Sequence, residues 1–156
     1  MGNPMAGHLV KKGFDVTVYD IRPEMVKAFV SQHGGKGAAS RVDAAHGMDA
    51  VSTMLPDDKV VRKVVLGEGS ENCVAAGLAQ GAVVIDMSTC NPTATRSLAE
   101  ALKPRGIAVV DAPVMGGVIF AKDATLDIMV GGEAVLVERV KPLLAAGLKR
   151  LEFYSD

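Results

Sequence analysis

Met1-Gly2-Asn3-Pro4-Met5-Ala6, followed past Lys12-Gly13 by Phe14-Asp15-Val16-Thr17-Val18-Tyr19-Asp20, decides the fold of this 156-residue chain. The first six residues read as the end of a glycine loop running into a helix, which stops near Lys12-Gly13. Phe14 to Tyr19 alternates apolar and polar side chains, the pattern of a strand, and an acid, Asp20, closes it. In a nucleotide-binding βαβ unit, the acid that takes the adenosine ribose hydroxyls lies roughly 20 residues past the glycine loop. Asp20 lies eighteen residues after Gly2. No hydrophobic strand precedes Met1, so the expectation is a unit without its first β-strand and without the first two glycines of its loop.

Strand-like and helical runs alternate through the rest of the chain. Pro23 opens a helix that carries Met25, Val26, Phe29 and Val30 and ends at Gly34-Gly35. A short strand over Lys36–Ala39 precedes a small helix with Ser40 as N-cap and Asp43 at its third position. Ala50–Leu55 reads as a strand stopped by Pro56, and Pro56-Asp57-Asp58 as the first turn of a helix ending at Gly67. A short helix over 72–79, a strand at Ala82–Met87, a helix from Asn91-Pro92 to Lys103 and a strand at Ile107–Val110 follow. The last elements are a strand at Leu126–Val130, a helix over Glu133–Leu144 and a strand at Leu151–Tyr154. Repeated β-α units with central runs of Val, Ile and Ala predict an α/β fold: a doubly wound, mostly parallel sheet covered on both faces. Neither a linker nor an internal repeat divides residues 1–156, so one domain is expected.

Composition narrows the function. An apolar fraction of 49% with 22% charged residues is that of a globular chain with a real core. A net charge of -1 without a Lys/Arg block gives no footprint for nucleic acid or an anionic membrane. Apolar runs fall well short of the ~20 residues of a membrane span, and no signal-peptide pattern opens the chain. Cys73 and Cys90 have neither metal-ligand nor redox spacing, which points to a reducing intracellular compartment, cytoplasm or organelle matrix. No base lies near Cys90 in a recognisable nucleophile pattern, and His8, His33 and His46 fall in none either.

Doubly wound sheets bind ligands at the carboxyl ends of their strands. Those ends carry Asp20-Ile21-Arg22, Leu55-Pro56-Asp57, Ser88-Thr89-Cys90 and Asp111-Ala112-Pro113-Val114-Met115-Gly116-Gly117. They are small, polar and glycine-rich, as backbone approach to a phosphate or carboxylate requires.

Five stretches in register resemble successive motifs of the β-hydroxyacid dehydrogenases, in particular the 3-hydroxyisobutyrate dehydrogenase-like members. They are Met1–Ala6, Met54-Leu55-Pro56, Asp86-Met87-Ser88-Thr89 with Pro92, Asp111–Gly117 and Met129-Val130-Gly131-Gly132. The resemblance implies a Rossmann-like nucleotide domain of an NAD(P)-dependent oxidoreductase moving hydride between a 3-hydroxy acid and the nicotinamide. Met1, Gly2 and Asn3 match the end of the G-L-G-x-M-G loop, and Asp20 its ribose-binding acid, which favours NAD. Arg22 nearby keeps NADP open. Met54, Leu55 and Pro56 match the cofactor-lining loop, and Thr89 a residue near the nicotinamide.

Met115, Gly116 and Gly117 match the substrate signature D-A-P-V-S-G-G, with Met115 where the family has a serine. Ala124 stands where a glycine is usual in the turn that follows. The family's catalytic lysine lies in a motif of the helical domain that follows; neither Lys122 nor Lys149 has that context, so no catalytic residue is expected here. A fragment with little activity alone is therefore expected, its complete form a homo-oligomer acting on a small hydroxy acid. Two alternatives stay open: a glyoxylate or succinic semialdehyde reductase-type member, and a nonenzymatic nucleotide- or partner-binding module.

Overall fold

The computed structural model describes residues 1–154, with side chains through residue 147. Helix α1 (Gly2–Lys11) starts directly behind Met1, whose side chain cannot cap it. Strand β1 (Thr17–Val18), helix α2 (Pro23–His33) and strand β2 (Lys36–Gly37) follow, with Pro23 in the first turn of α2. β1 and β2 pair in parallel, Thr17 with Lys36 and Val18 with Gly37. In the small helix α3 (Arg41–Ala45), Ser40 Oγ accepts the Asp43 N–H at 3.1 Å, as the S-x-x-D pattern predicts.

Strands β3 (Ala50–Thr53), β4 (Val83–Asp86) and β5 (Ala108–Asp111) form a parallel ladder with Asp86 facing Thr53 on one side and Asp111 on the other. Between them run α4 (Asp58–Leu66), α5 (Val74–Gly77) and α6 (Pro92–Leu102). After β5 come the short β6 (Val114–Met115), α7 (Gly117–Lys122), β7 (Leu126–Gly131), α8 (Ala134–Leu144) and β8 (Leu148–Tyr154). β7 runs antiparallel to β5 and β6 on one edge and parallel to β8 on the other. The architecture is thus a Rossmann-like α/β fold with a mostly parallel sheet, as expected. Among the described residues its strands fall into two ladders, β1–β2 and the six-stranded β3–β8 sheet.

All of β4 is buried, and its alternate residues feed opposite layers. Val84 packs with Val61, Val65, Leu98 and Leu102 of α4 and α6, whereas Val83 and Ile85 pack with Val137, Val140 and Leu144 of α8. Met1, just before α1, and Met5 within it lie against this second layer. A strand covered on both faces favours apolar residues on both sides, which is why Ala82–Ile85 lacks the alternation of a half-exposed strand; Asp86 at the strand's end is the buried exception. No helix among the described residues is long and apolar enough to cross a membrane.

Three local expectations are corrected. Pro56 lies outside α4, because Asp57 caps it instead: its Oδ1 accepts the Val60 N–H at 2.8 Å. The helix expected over 72–79 shrinks to Val74–Gly77. β6 and α7, both inside or just past the Asp111–Gly117 stretch, were hidden because two and six residues carry too little periodicity to register. Ala124, by contrast, sits where the sequence suggests a glycine: its φ is +55°, a left-handed conformation that costs an L-residue about 1–2 kcal/mol.

Candidate functional site

At the β1 end, Asp20 is partly exposed, and its Oδ1 accepts the Arg22 backbone N–H at 2.9 Å and Arg22 Nε at 3.4 Å. Arg22 occupies the N-cap position of α2, so the turn brings its guanidinium back onto the acid. Oδ2 has no protein partner among the described residues and stays available to a ribose hydroxyl.

The start of α1 is the second feature. Gly2, Asn3 and Met5 lie in a first turn with neither a side-chain cap nor an acid. An uncapped ten-residue helix presents its free N–H groups and positive dipole end to an anion. Gly2 lies against the end of β3: a Cβ at that position stands 3.8 Å from Met54 Cβ. Met1, Met5 and Met54 border one apolar layer, so the glycine helix and the Met54-Leu55-Pro56 loop share a wall.

The ends of β3, β4 and β5 are tied by one polar cluster. Buried Asp86 accepts Thr53 Oγ1 at 2.9 Å and the Ser88 N–H at 3.0 Å on Oδ1, and Cys90 Sγ at 3.2 Å on Oδ2. Ser88 Oγ in turn accepts the Leu55 N–H at 2.9 Å. Ser88 is therefore used structurally, while the neighbouring Thr89 is exposed and free of such duty. Burial, reinforced by the hydrogen bond to Asp86 and its charge, pushes the Cys90 thiol up to about 12, so Cys90 is no nucleophile at neutral pH. A cavity of about 180 Å³ between α4 and α6 reaches Cys90 and Asp86, with Asp58 and Arg62 at its wall; no residue of α1 or of 112–117 lines it.

Asp111 faces Asp86 across the β4–β5 ladder, and its buried Oδ1 has no hydrogen-bond partner. Desolvation, then the Asp86 charge, raises its carboxyl from 3.8 to about 6. A folded-state value above the unfolded one means the native protein holds this proton more tightly. The associated stability is complete below about 3.8 and is lost as pH rises through about 6. Asp111→Asn is accordingly expected to raise the melting temperature at pH 7.5 and to flatten its dependence between pH 4 and 6, as measured by thermal melts across that range. An unchanged slope refutes the assignment.

Beyond Asp111, Met115 pairs with Asp127 of β7 and is 54% exposed, in place of a hydroxyl donor. Gly116 and Gly117 follow with φ of +124° and +70°. A Cβ at Gly116 comes within 2.7 Å of Phe120 Cβ, so both conformation and space require glycine there.

The structure gathers Met1, Gly2, Met54 and Leu55 with the Ser88 side of the β4 end. Asp20 and Arg22 follow β1, and no hydrogen bond or ion pair among the described residues joins them to Thr89 or to 115–117. Two histidines have partners that the sequence did not suggest. His33 Nε2 bonds Asn3 Oδ1 at 3.0 Å, and His8 Nε2 lies 2.9 Å from Ala121 O and 3.0 Å from Lys122 O at the end of α7. Both contacts span distant elements, so no local pattern announces them.

A Rossmann-like sheet with an uncapped helix starting at Gly2 and an acid two residues past the next strand is the arrangement of a nucleotide-binding α/β protein. Comparison with known proteins agrees: the family described as the NAD binding domain of 6-phosphogluconate dehydrogenase matches residues 1–152, and the chain belongs to it. An uncharacterized oxidoreductase of Shewanella frigidimarina is 42% identical over 94% of this chain and 49% of its own length. A 3-hydroxyisobutyrate dehydrogenase of Pseudomonas aeruginosa is 39% identical over 92% of this chain and 47% of its own. The solved structure of the Mycobacterium tuberculosis 3-hydroxyisobutyrate dehydrogenase with L-serine superposes with a TM-score of 0.91 at 32% identity, covering 99% of this chain and 51% of that one. The chain spans about half the length of the curated relatives it matches.

Proposed function

We propose that residues 1–156 are the dinucleotide-binding domain of an NAD(P)-dependent 3-hydroxyacid dehydrogenase, which moves hydride between a 3-hydroxy acid and the nicotinamide. The observation that carries this reading is the uncapped start of α1 and the acid ending β1, within a chain matched from residue 1 to 152 by an NAD-binding family. The names of the relatives, 3-hydroxyisobutyrate dehydrogenase among them, support the substrate class. The residues present fit the cofactor. Met1, Gly2 and Asn3 hold the diphosphate at the α1 dipole; Asp20 takes the ribose hydroxyls with Arg22 beside it; Met54, Leu55, Pro56 and Thr89 line the approach to the nicotinamide. The bound cofactor supplies hydride acceptance. Met115, Gly116 and Gly117 receive the substrate carboxylate, through the two glycine amides only, since a thioether donates no hydrogen bond. The complete protein works as a homo-oligomer in an aqueous intracellular compartment, cytoplasm or organelle matrix, without nucleic acid or membrane.

Calorimetric titration of the chain with NAD and NADP tests the reading. Weak binding that favours NAD is expected, and Asp20→Ala is expected to shrink the preference. If NADP binds the unaltered chain much better than NAD, Arg22 rather than Asp20 sets the choice. Absence of binding to both sinks the reading.

A further inference from the structure

We infer that His33 is a positioning residue for the cofactor: it holds the Asn3 carboxamide by its oxygen and leaves the amide N–H groups as donors beside the α1 amides. The inference rests on the dinucleotide reading of α1. His33 is the last residue of α2, thirty positions from Asn3, and its ring is fixed from two sides. It lies flat on the α1 backbone at Gly7, where a Cβ falls 2.6 Å from Nδ1 and 2.7 Å from Cε1. Phe29, one turn earlier on α2, flanks the ring with centroids 5.2 Å apart and planes tilted by 43°. A Cβ at position 7 would displace the ring, and Gly7 is buried.

A ring so clamped presents Nε2 to Asn3 Oδ1 at 3.0 Å. An amide oxygen only accepts, so Nε2 carries the proton and the imidazole is fixed in that tautomer, with Nδ1 over Gly7. Asn3 then has its oxygen committed and its –NH₂ unpartnered among the described residues. Asparagine is a good capping residue at a helix start, yet Asn3 lies inside the first turn and caps nothing. The capped helices α3, α4 and α6 differ: Ser40, Asp57 and Asn91 each satisfy an N–H of their own helix. At α1 the side chain instead keeps two N–H donors on a first turn whose backbone N–H groups have no side-chain cap. Phosphate oxygens are acceptors only, so an amide presenting its nitrogen suits a diphosphate, whereas a freely rotating one presents its oxygen half the time.

The test titrates the 156-residue chain with NAD and, separately, with adenosine, which carries the ribose that Asp20 takes and no phosphate. His33→Ala is expected to weaken NAD about tenfold, the value of one hydrogen bond to a charged group, and to leave adenosine unchanged. Asn3→Ala is expected to weaken NAD equally, and the double variant no further, since His33 acts through Asn3. His33→Gln, which keeps an N–H donor, is expected to recover part of the loss. Imidazole ¹⁵N shifts of the unaltered chain read the Nε2–H tautomer directly and do not depend on any variant's folding. Equal loss for NAD and adenosine, additive losses in the double variant, or an Nδ1–H tautomer overturns the inference. If the unaltered chain binds no NAD, the dinucleotide reading itself fails; if it binds NAD and His33→Ala binds as well, only the positioning role does.

Discussion

Purified on its own, the 156-residue chain is expected to oxidise 3-hydroxyisobutyrate or L-serine with NAD at no more than about a thousandth of the rate of a full-length relative. A positioned general acid or base contributes about 10²–10⁴-fold, and orientation of the substrate adds more. The titratable groups at the end of β4 are poorly suited to the proton transfer. Asp86 already accepts three hydrogen bonds, and the Cys90 thiol is pushed up to about 12. Asp111 has one oxygen, Oδ1, buried without a partner, and its carboxyl, raised to about 6, is the group there best placed to titrate near neutrality. Lys122 and His8 meet at the far end of α7 from Gly117, not at the turn. Appearance of NADH at saturating substrate, measured beside a full-length relative, is the check. Turnover within tenfold of that relative overturns the expectation, and Asp111→Asn is then the first variant to examine.

Asp86→Ala is expected to cost about 3 kcal/mol or more of stability. The change strands the buried Thr53 hydroxyl and the Ser88 N–H, each an unsatisfied donor worth about 1–3 kcal/mol. Relief of the repulsion on Asp111 offsets part of this, but that charge is the lesser cause of the Asp111 shift, after burial. In a domain of this size the melting temperature is expected to fall by about 10 °C. Thr53→Val separates the terms, because it removes one donor together with its need for a partner and is expected to cost less. A fall under about 3 °C for Asp86→Ala refutes the role of Asp86 as the knot of three strand ends.

Much of this architecture was legible because its signals are local. The Ser40 cap, the Pro23 start and the strand read over Ala82–Met87 each follow from a few adjacent residues; the first two form as read, and the strand forms over Val83–Asp86. The strand ends located the candidate site, since a parallel sheet puts all its loops of one kind on one side. What escaped is long-range or too short. The Asp86 acceptor set joins residues thirty-three positions apart, and the His33–Asn3 bond thirty. β6 is two residues long and exists only because β7 returns beside it. Pro56 gave way to Asp57 because two adjacent residues can each begin a helix, and only the packed chain decides between them.

The two ladders bear on how binding energy is used. β1, α2 and β2 meet the rest of the described chain chiefly through α1, which packs on α2 on one side and on α7 and the 3₁₀ turn at Ala145–Gly147 on the other. Amide hydrogen exchange is expected to be faster in this small ladder, where Asp20 lies, than in β3–β5 of the large sheet. On the proposed reading, a dinucleotide that reached from Asp20 to the strand ends would bridge the two ladders, and part of its affinity would go into ordering them. Ligand occupancy should consequently be felt most strongly in the first forty residues, as slower opening rather than as a new shape.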